Sequence, residues 1–217
     1  MLKPNLLLHI RSHHLVYVAL LAILSLVPFT LEPFYTSFLI RLFLFAVLAE
    51  SYNIVGGYMG YMNLGHSAPF GVAAYVFCLV FLGTRSFELS LVAASLAAIM
   101  FAAAIGVPLF RLKGAYFALA SFALIWTLRL LVINLREITG GYEGIRIFSG
   151  YNLIPAYYMF LALTVFTIIL NYKVRNSNFG LALLSIREDE EAAASLGINT
   201  FKYQVLALTL TSIPLEA

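Results

Sequence analysis

The chain reads as long apolar runs separated by short polar or glycine-rich breaks. Leu15–Leu31 is apolar apart from Ser25 and Thr30, and Pro28 is expected to break it before a tight turn at Glu32-Pro33. Phe34–Val55 carries two charges, Arg41 and Glu50. Phe70–Leu82 is short of the roughly 20 residues that a helix needs to cross a bilayer. Leu89–Phe110 is alanine-rich, with Ala93, Ala94, Ala97, Ala98, Ala102, Ala103 and Ala104 at spacings that permit close helix packing in lipid. Ala115–Leu135 holds Trp126 and Arg129, and Pro155–Leu170 follows. A last run starts near Tyr203 and has about 15 residues, too few to cross comfortably. The pattern predicts an all-α polytopic transmembrane helical bundle of about six or seven spans, one domain over residues 1–217.

Two stretches depart from this pattern. Residues 56–71 read Gly-Gly-Tyr-Met-Gly-Tyr-Met-Asn-Leu-Gly-His-Ser-Ala-Pro-Phe-Gly, with five glycines and Pro69. Glycine at that density predicts broken or re-entrant backbone, tolerated only where protein or a cavity surrounds it. The other stretch, Ser185 to Asn199, is a charged island. Ser185 with Glu188 three residues on has the form of a capping box. The four acids Glu188–Glu191 suit the start of a helix, three alanines follow, and Gly197 stands where a left-handed cap would end it. This predicts a helix over 186–196, with Ile186, Ala193 and Leu196 roughly on one face. It would be either a docking helix or a solvated loop helix.

Composition strengthens the membrane reading. Hydrophobic residues make up 62% of the chain and charged residues 11%, against about 25% charged in soluble domains. Mean hydropathy is +0.94. A net charge of +3 does not imply nucleic acid here, because basic residues in such a chain mark cytoplasmic loops. With the N-terminus inside, the inner segments hold Lys3, Arg11, Arg111, Lys113, Lys173, Arg175, Arg187 and Lys202, while the outer loops hold Arg85, Arg136 and Arg146. That asymmetry favours this orientation and places residues 171–202 in the cytoplasm. The first apolar run lacks a small-residue cleavage site and reads as a retained span. Cys78 lies in an apolar run as a structural thiol. His9, His13 and His14 have no carboxylate or cysteine nearby, so a basic interfacial segment is expected there and no metal site. No nucleophile–base pair, phosphate loop or cofactor motif is present in the sequence, so no catalytic residue is assigned and any ATP use belongs to another subunit.

Glu191-Ala192-Ala193, three residues and then Gly197 resemble the EAA-x3-G signature of ABC-importer permeases, and the longer run Ile186–Asn199 resembles branched-chain amino-acid permeases of the LivM type. Asn53 with Gly57-Tyr-Met-Gly-Tyr-Met-Asn-Leu-Gly-His66, followed by Phe70-Gly71 and Tyr75, is similar to that family's N-x3-G-Y-x-G-x3-L-G-H block. Arg111-Leu-Lys-Gly-x-Tyr116 resembles its R-L-[RK]-G-x-Y turn, and Leu128-Arg129, Asn134 and Thr139-Gly-Gly141 resemble a later block. The similarity runs in order from about residue 46 to 208. Glu143-Gly144 stands where the family has N-G, Leu181 follows Gly180 where it often has arginine, and residues 211–217 do not resemble it. Family permeases continue through further spans, so an incomplete permease domain is expected.

The resemblance implies the multi-pass inner-membrane subunit of an ABC importer for branched-chain or other hydrophobic amino acids. Its implied partners are ATP-binding-cassette subunits, a second permease and an external solute-binding protein. It implies that Arg187, Glu190, Glu191, Ala192, Ala193, Leu196 and Gly197 couple the chain to an ATPase. For the substrate pathway we single out Asn63, Gly65, His66 and Ser67 on the broken segment, and Arg129, whose charge would suit a substrate carboxylate. Arg41 would suit a carboxylate in the same way; Glu50, Arg41 and Arg129 otherwise read as snorkelling charges, and Tyr58, Tyr61 and Trp126 as interface anchors or packing. Urea and short amides are an alternative cargo. A proton-coupled secondary transporter using Glu50 or His66, or a non-transporting scaffold, are alternatives of other classes.

The orientation predicts that cysteines placed at Ser149 and Ser177 react with an impermeant reagent from opposite faces of the membrane. Labelling of both from one face overturns it.

Overall fold

The computed structural model describes residues 20–30, 32–147 and 152–212. The candidate histidines near the N-terminus, Ser149 and residues 213–217 lie outside those residues. Among the described residues every regular element is helical. In order they are α1 (Leu20–Thr30), α2 (Pro33–Tyr52), α3 (Ala68–Thr84), α4 (Phe87–Leu109), α5 (Ala115–Asn134), α6 (Arg136–Thr139), α7 (Leu153–Arg175), α8 (Asn178–Glu188), α9 (Glu190–Ser195) and α10 (Thr200–Ser212). Four are long and apolar enough to cross a membrane: α2 with its extension to Tyr58, α4, α5 and α7. The helices α1 and α3 are apolar but shorter. The chain is an all-α polytopic bundle.

Pro28 does not break α1, contrary to expectation; the helix continues to Thr30. A proline removes one N–H and so leaves the carbonyl four residues earlier without its helical donor. That carbonyl belongs to Leu24, and the Tyr157 hydroxyl of α7 donates to it at 2.7 Å. Tyr158 donates to the neighbouring Ser25 carbonyl at 2.6 Å. Tyr157 thus replaces what the proline took away, and the two adjacent tyrosines fasten α1 to α7. Tyr157 is fully buried and meets Phe43 of α2 edge-on, with ring centroids 5.5 Å apart.

Helical spacing accounts for the packing. The buried face of α2 is Thr36, Ile40, Phe43, Val47 and Ser51, at intervals of three and four. It lies on the α7 face that includes Tyr157, Leu161, Thr164 and Asn171. The buried stripe of α4 is small from Ser90 through Ala94, Ala98 and Ala102 to Gly106, as the alanine spacing predicted, and ends on Leu109. Ala94 and Ala98 meet Ala73 and Phe77 of α3. Farther along, a Cβ on Gly106 would touch Leu208 of α10 at 3.3 Å. By contrast α5 buries only Phe117 and Ser121, and much of its apolar surface is open.

Tyr157→Phe should strand the Leu24 carbonyl and lower stability by about 1–3 kcal/mol, the cost of an unpaired buried polar group. Pro28→Ala restores an N–H to that turn and should recover most of the loss. Thermal unfolding of the single and double variants in detergent checks both; equal effects of Tyr157→Phe with and without Pro28→Ala contradict the pairing.

Candidate functional site

The polar chemistry gathers where the glycine-rich stretch meets α8, α9 and α10. Helix α2 does not end at Val55. It widens into a π-helical turn, Asn53–Tyr58, so Glu50 lies eight residues before the end of this helix and not the five that an end at Val55 would give. Glycine permits the wide turn. A Cβ on Gly56 would run into the Tyr52 ring, and one on Gly57 into the Asn53 carboxamide. The chain then leaves helical geometry from Met59 until α3 begins at Ala68. Residues 56–71 are therefore not one continuous helix, as predicted.

Side chains hold this unladdered backbone. The Leu64 amide donates to Ser121 Oγ of α5 at 3.1 Å, and the Gly65 amide donates to Asn63 Oδ1 at 3.0 Å. Gly65 lies so close to the Ser121 carbonyl that any Cβ would collide with it. His66 Nε2 is 3.0 Å from Ser51 Oγ, and its ring stands edge-on to Tyr52. Asn63 and His66 are buried.

The charged island folds differently from expectation. It forms two helices, not one. Helix α8 starts earlier, with Ser177 Oγ accepting from the Gly180 amide. Ser185 is inside α8, where its hydroxyl donates to the Leu181 carbonyl, so the capping box is not formed. Asp189 adopts extended geometry, ends α8 and caps α9: its Oδ1 accepts from the Glu191 and Ala192 amides, each at 2.9 Å. Asp at N-cap is as favourable as Ser, and here it wins because it sits directly before the alanines. Gly197 has φ +88°, the left-handed geometry predicted for it.

This break turns the island's faces. Ile186 and Ala193 are 3% and 2% exposed and pack inward, whereas Leu196 is 82% exposed. The three do not share a face, contrary to expectation. Arg187, Glu191, Ala192 and Gly197 are exposed with Leu196. Lys113 Nζ lies 3.8 Å from Glu191, an exposed pair of little energetic weight.

Glu190 turns inward. Its Oε2 accepts from the Tyr61 hydroxyl at 2.7 Å, and its Oε1 accepts from Gln204 Nε2 of α10 at 3.2 Å. Gln204 Nε2 also donates to the Tyr61 oxygen at 3.0 Å. Burial first, and then the Glu190 carboxylate, push the Tyr61 phenol above its usual range, so it stays a proton donor to Glu190. Arg187 donates to the Gly57 carbonyl at 3.0 Å and lies against Gly60, whose φ is +75°. Tyr61 is thus a bonded residue and no mere interface anchor. A lone glutamine in the last apolar run, Gln204, was the signal in the sequence that this spot is polar.

The expected pathway residues divide. Asn63 and Gly65 line an interior gap beside Leu208 and Phe101. Ser67 and Arg129 instead share a largely apolar cleft of about 400 Å³ between α3 and α5, with Tyr75, Leu128 and Thr139. Arg129 is exposed there, its guanidinium 5.2 Å above the Trp126 ring. A second cleft, of about 540 Å³, opens between Gly60, Tyr61 and Met62 and the start of α5. Among the described residues no cluster of ligating side chains fits a metal.

A bundle of apolar helices, one of them broken by glycine and clasped to short polar helices, defines a multi-pass membrane protein. The chain belongs to the family of branched-chain amino acid transport system permease components, which matches residues 34–213. It is similar to the high-affinity branched-chain amino acid transport system permease protein LivM of Escherichia coli K12, 26% identical over 228 aligned positions, and equally to that of Salmonella typhimurium. The alignment covers 90% of this chain and 53% of each relative, so the chain spans about half the length of the curated relatives it matches. No solved structure matches it.

Asp189→Ala should cost about 0.5–2 kcal/mol, as N-cap losses do, and should raise amide exchange across α9. Ser185→Ala should do neither, since that hydroxyl caps nothing. Hydrogen exchange of the two variants distinguishes them; the reverse pattern restores the capping box at Ser185.

Proposed function

We propose that this chain acts as the membrane-spanning subunit of an ATP-driven importer for branched-chain or other hydrophobic amino acids. One observation carries the reading: α9 has two working sides. Its inner side bonds to the glycine-rich segment through Glu190, and its outer side presents Glu191, Ala192 and the exposed Leu196. A small residue beside an apolar knob suits close docking of another protein. In this proposal the other protein is an ATP-binding-cassette subunit, which binds and hydrolyses the ATP. A second permease and an external solute-binding protein complete the assembly. Residues 171–202 are cytoplasmic, as is the N-terminus, and the membrane is the inner membrane.

The substrate path in this proposal follows the broken segment. The non-helical backbone with the buried Asn63 and His66 forms its inner part, and Ser67 with Arg129 offers a polar end to an otherwise apolar cleft. That combination suits an apolar side chain carrying a carboxylate better than it suits urea. The proton-carrier alternative is less favoured, because His66 faces the Ser51 hydroxyl and a tyrosine ring and takes part in no ion pair among the described residues.

Reconstituted with its ATPase subunits and binding protein, the chain should take up leucine only when ATP is supplied, and an ionophore that collapses the proton gradient should leave uptake intact. Ala192→Trp and Leu196→Asp should each reduce co-purification of the ATPase subunits severalfold without unfolding the bundle. Ala193→Trp should instead lower thermal stability by about 1–3 kcal/mol, because that residue packs into the chain's own core. Uptake driven by a proton gradient without ATP rejects the importer reading. Undiminished co-purification with both outer-face variants rejects α9 as the dock.

A further inference from the structure

We infer that Tyr61 is the positioning residue through which α9 sets the position of the glycine-rich segment, so that its hydroxyl couples ATPase docking to the substrate path. The inference rests on the importer reading above and adds the residue that transmits the motion. Three observations support it. First, the backbone from Met59 to Ser67 has no helical ladder, so its place is set by the few bonds that reach it. Near its start the Tyr61 amide donates to the Val55 carbonyl at 3.2 Å, and near its end His66 meets Ser51.

Second, Tyr61 is where the elements converge. Its ring stands edge-on to Phe117 at 5.0 Å and to Phe110 at 5.6 Å. Its hydroxyl donates to Glu190 of α9 and accepts from Gln204 of α10. The same α9 carboxylate binds Gln204 with its other oxygen, closing a ring of three hydrogen bonds in which the charged acceptor strengthens each contact it makes. Third, a parallel tie runs alongside from Arg187 of α8 to the Gly57 carbonyl. Displacing α8 and α9 by docking therefore pulls on residues 57 and 61 together. Tyr61 also borders the cleft between Gly60–Met62 and α5, which such a pull would widen or close.

The hydroxyl is separable from the ring. Tyr61→Phe keeps the packing against Phe110 and Phe117, and Gln204→Met keeps the volume of a buried side chain. In the assembled transporter in liposomes, with leucine and its binding protein, Tyr61→Phe should leave the thermal midpoint and ATPase co-purification near wild type. The ratio of leucine-stimulated to basal ATP hydrolysis, and leucine uptake per ATP, should fall by about fivefold or more, the low end of ordinary coupling factors. Gln204→Met should do the same, and the double variant should be no worse than either single one, since contacting residues in one network are not additive. Normal leucine uptake per ATP in Tyr61→Phe, or a fall in uptake matched by loss of folded protein, overturns the inference while leaving the importer reading in place. A wild-type assembly without ATP-dependent uptake overturns that reading and this inference with it.

Discussion

The structure depends on one constraint: backbone that leaves helical geometry inside an apolar bundle must find every hydrogen bond elsewhere. Residues 59–67 leave it, and the surrounding helices are arranged to supply what is missing. Ser121 reaches the Leu64 amide, and Asn63 folds back onto the Gly65 amide. The same constraint acts at Pro28, where Tyr157 of α7 takes up the carbonyl that the proline left without a donor. In both places the repair also ties together elements distant in sequence, so satisfying the backbone and assembling the bundle are one process.

Close approach is the second requirement. Small residues along α4 bring α3 and α10 near, and the absence of a Cβ at Gly65 lets the broken segment touch the α5 backbone. Without that proximity Ser121 would not reach Leu64. The long, weakly buried α5 is the exception. It meets the rest of the chain chiefly through Phe117 and Ser121, and two clefts that it lines open near the polar residues.

The cytoplasmic-side helices of the proposed importer act as a bracket on this arrangement. Asp189 divides the charged island, and the division lets one acid, Glu190, turn inward while the next, Glu191, stays in solvent. Within α9 successive residues project about 100° apart, so this six-residue helix bonds to the glycine-rich segment through Glu190 on one side and exposes Glu191 on another.

The sequence alone determined the helical spans, the discontinuity at 56–71, the small-residue stripe of α4 and the left-handed turn at Gly197. Each follows from local composition: apolar length, glycine density, alanine spacing and a residue without a Cβ. The family resemblance was legible for the same reason, since its motifs are contiguous. Tertiary structure decided which way the charged island faces, with Ile186 and Ala193 packed into the core and Leu196 turned outward. It decided that Pro28 is tolerated, because the compensating hydroxyls lie 133 residues away in the chain. It also decided that Tyr61, Glu190 and Gln204 form one cluster, and that Ser67 and Arg129 share a cleft from which Asn63 is excluded. Hydrogen bonds between side chains far apart in sequence leave no periodic trace along it; they exist only once the helices have brought the donors and acceptors within reach.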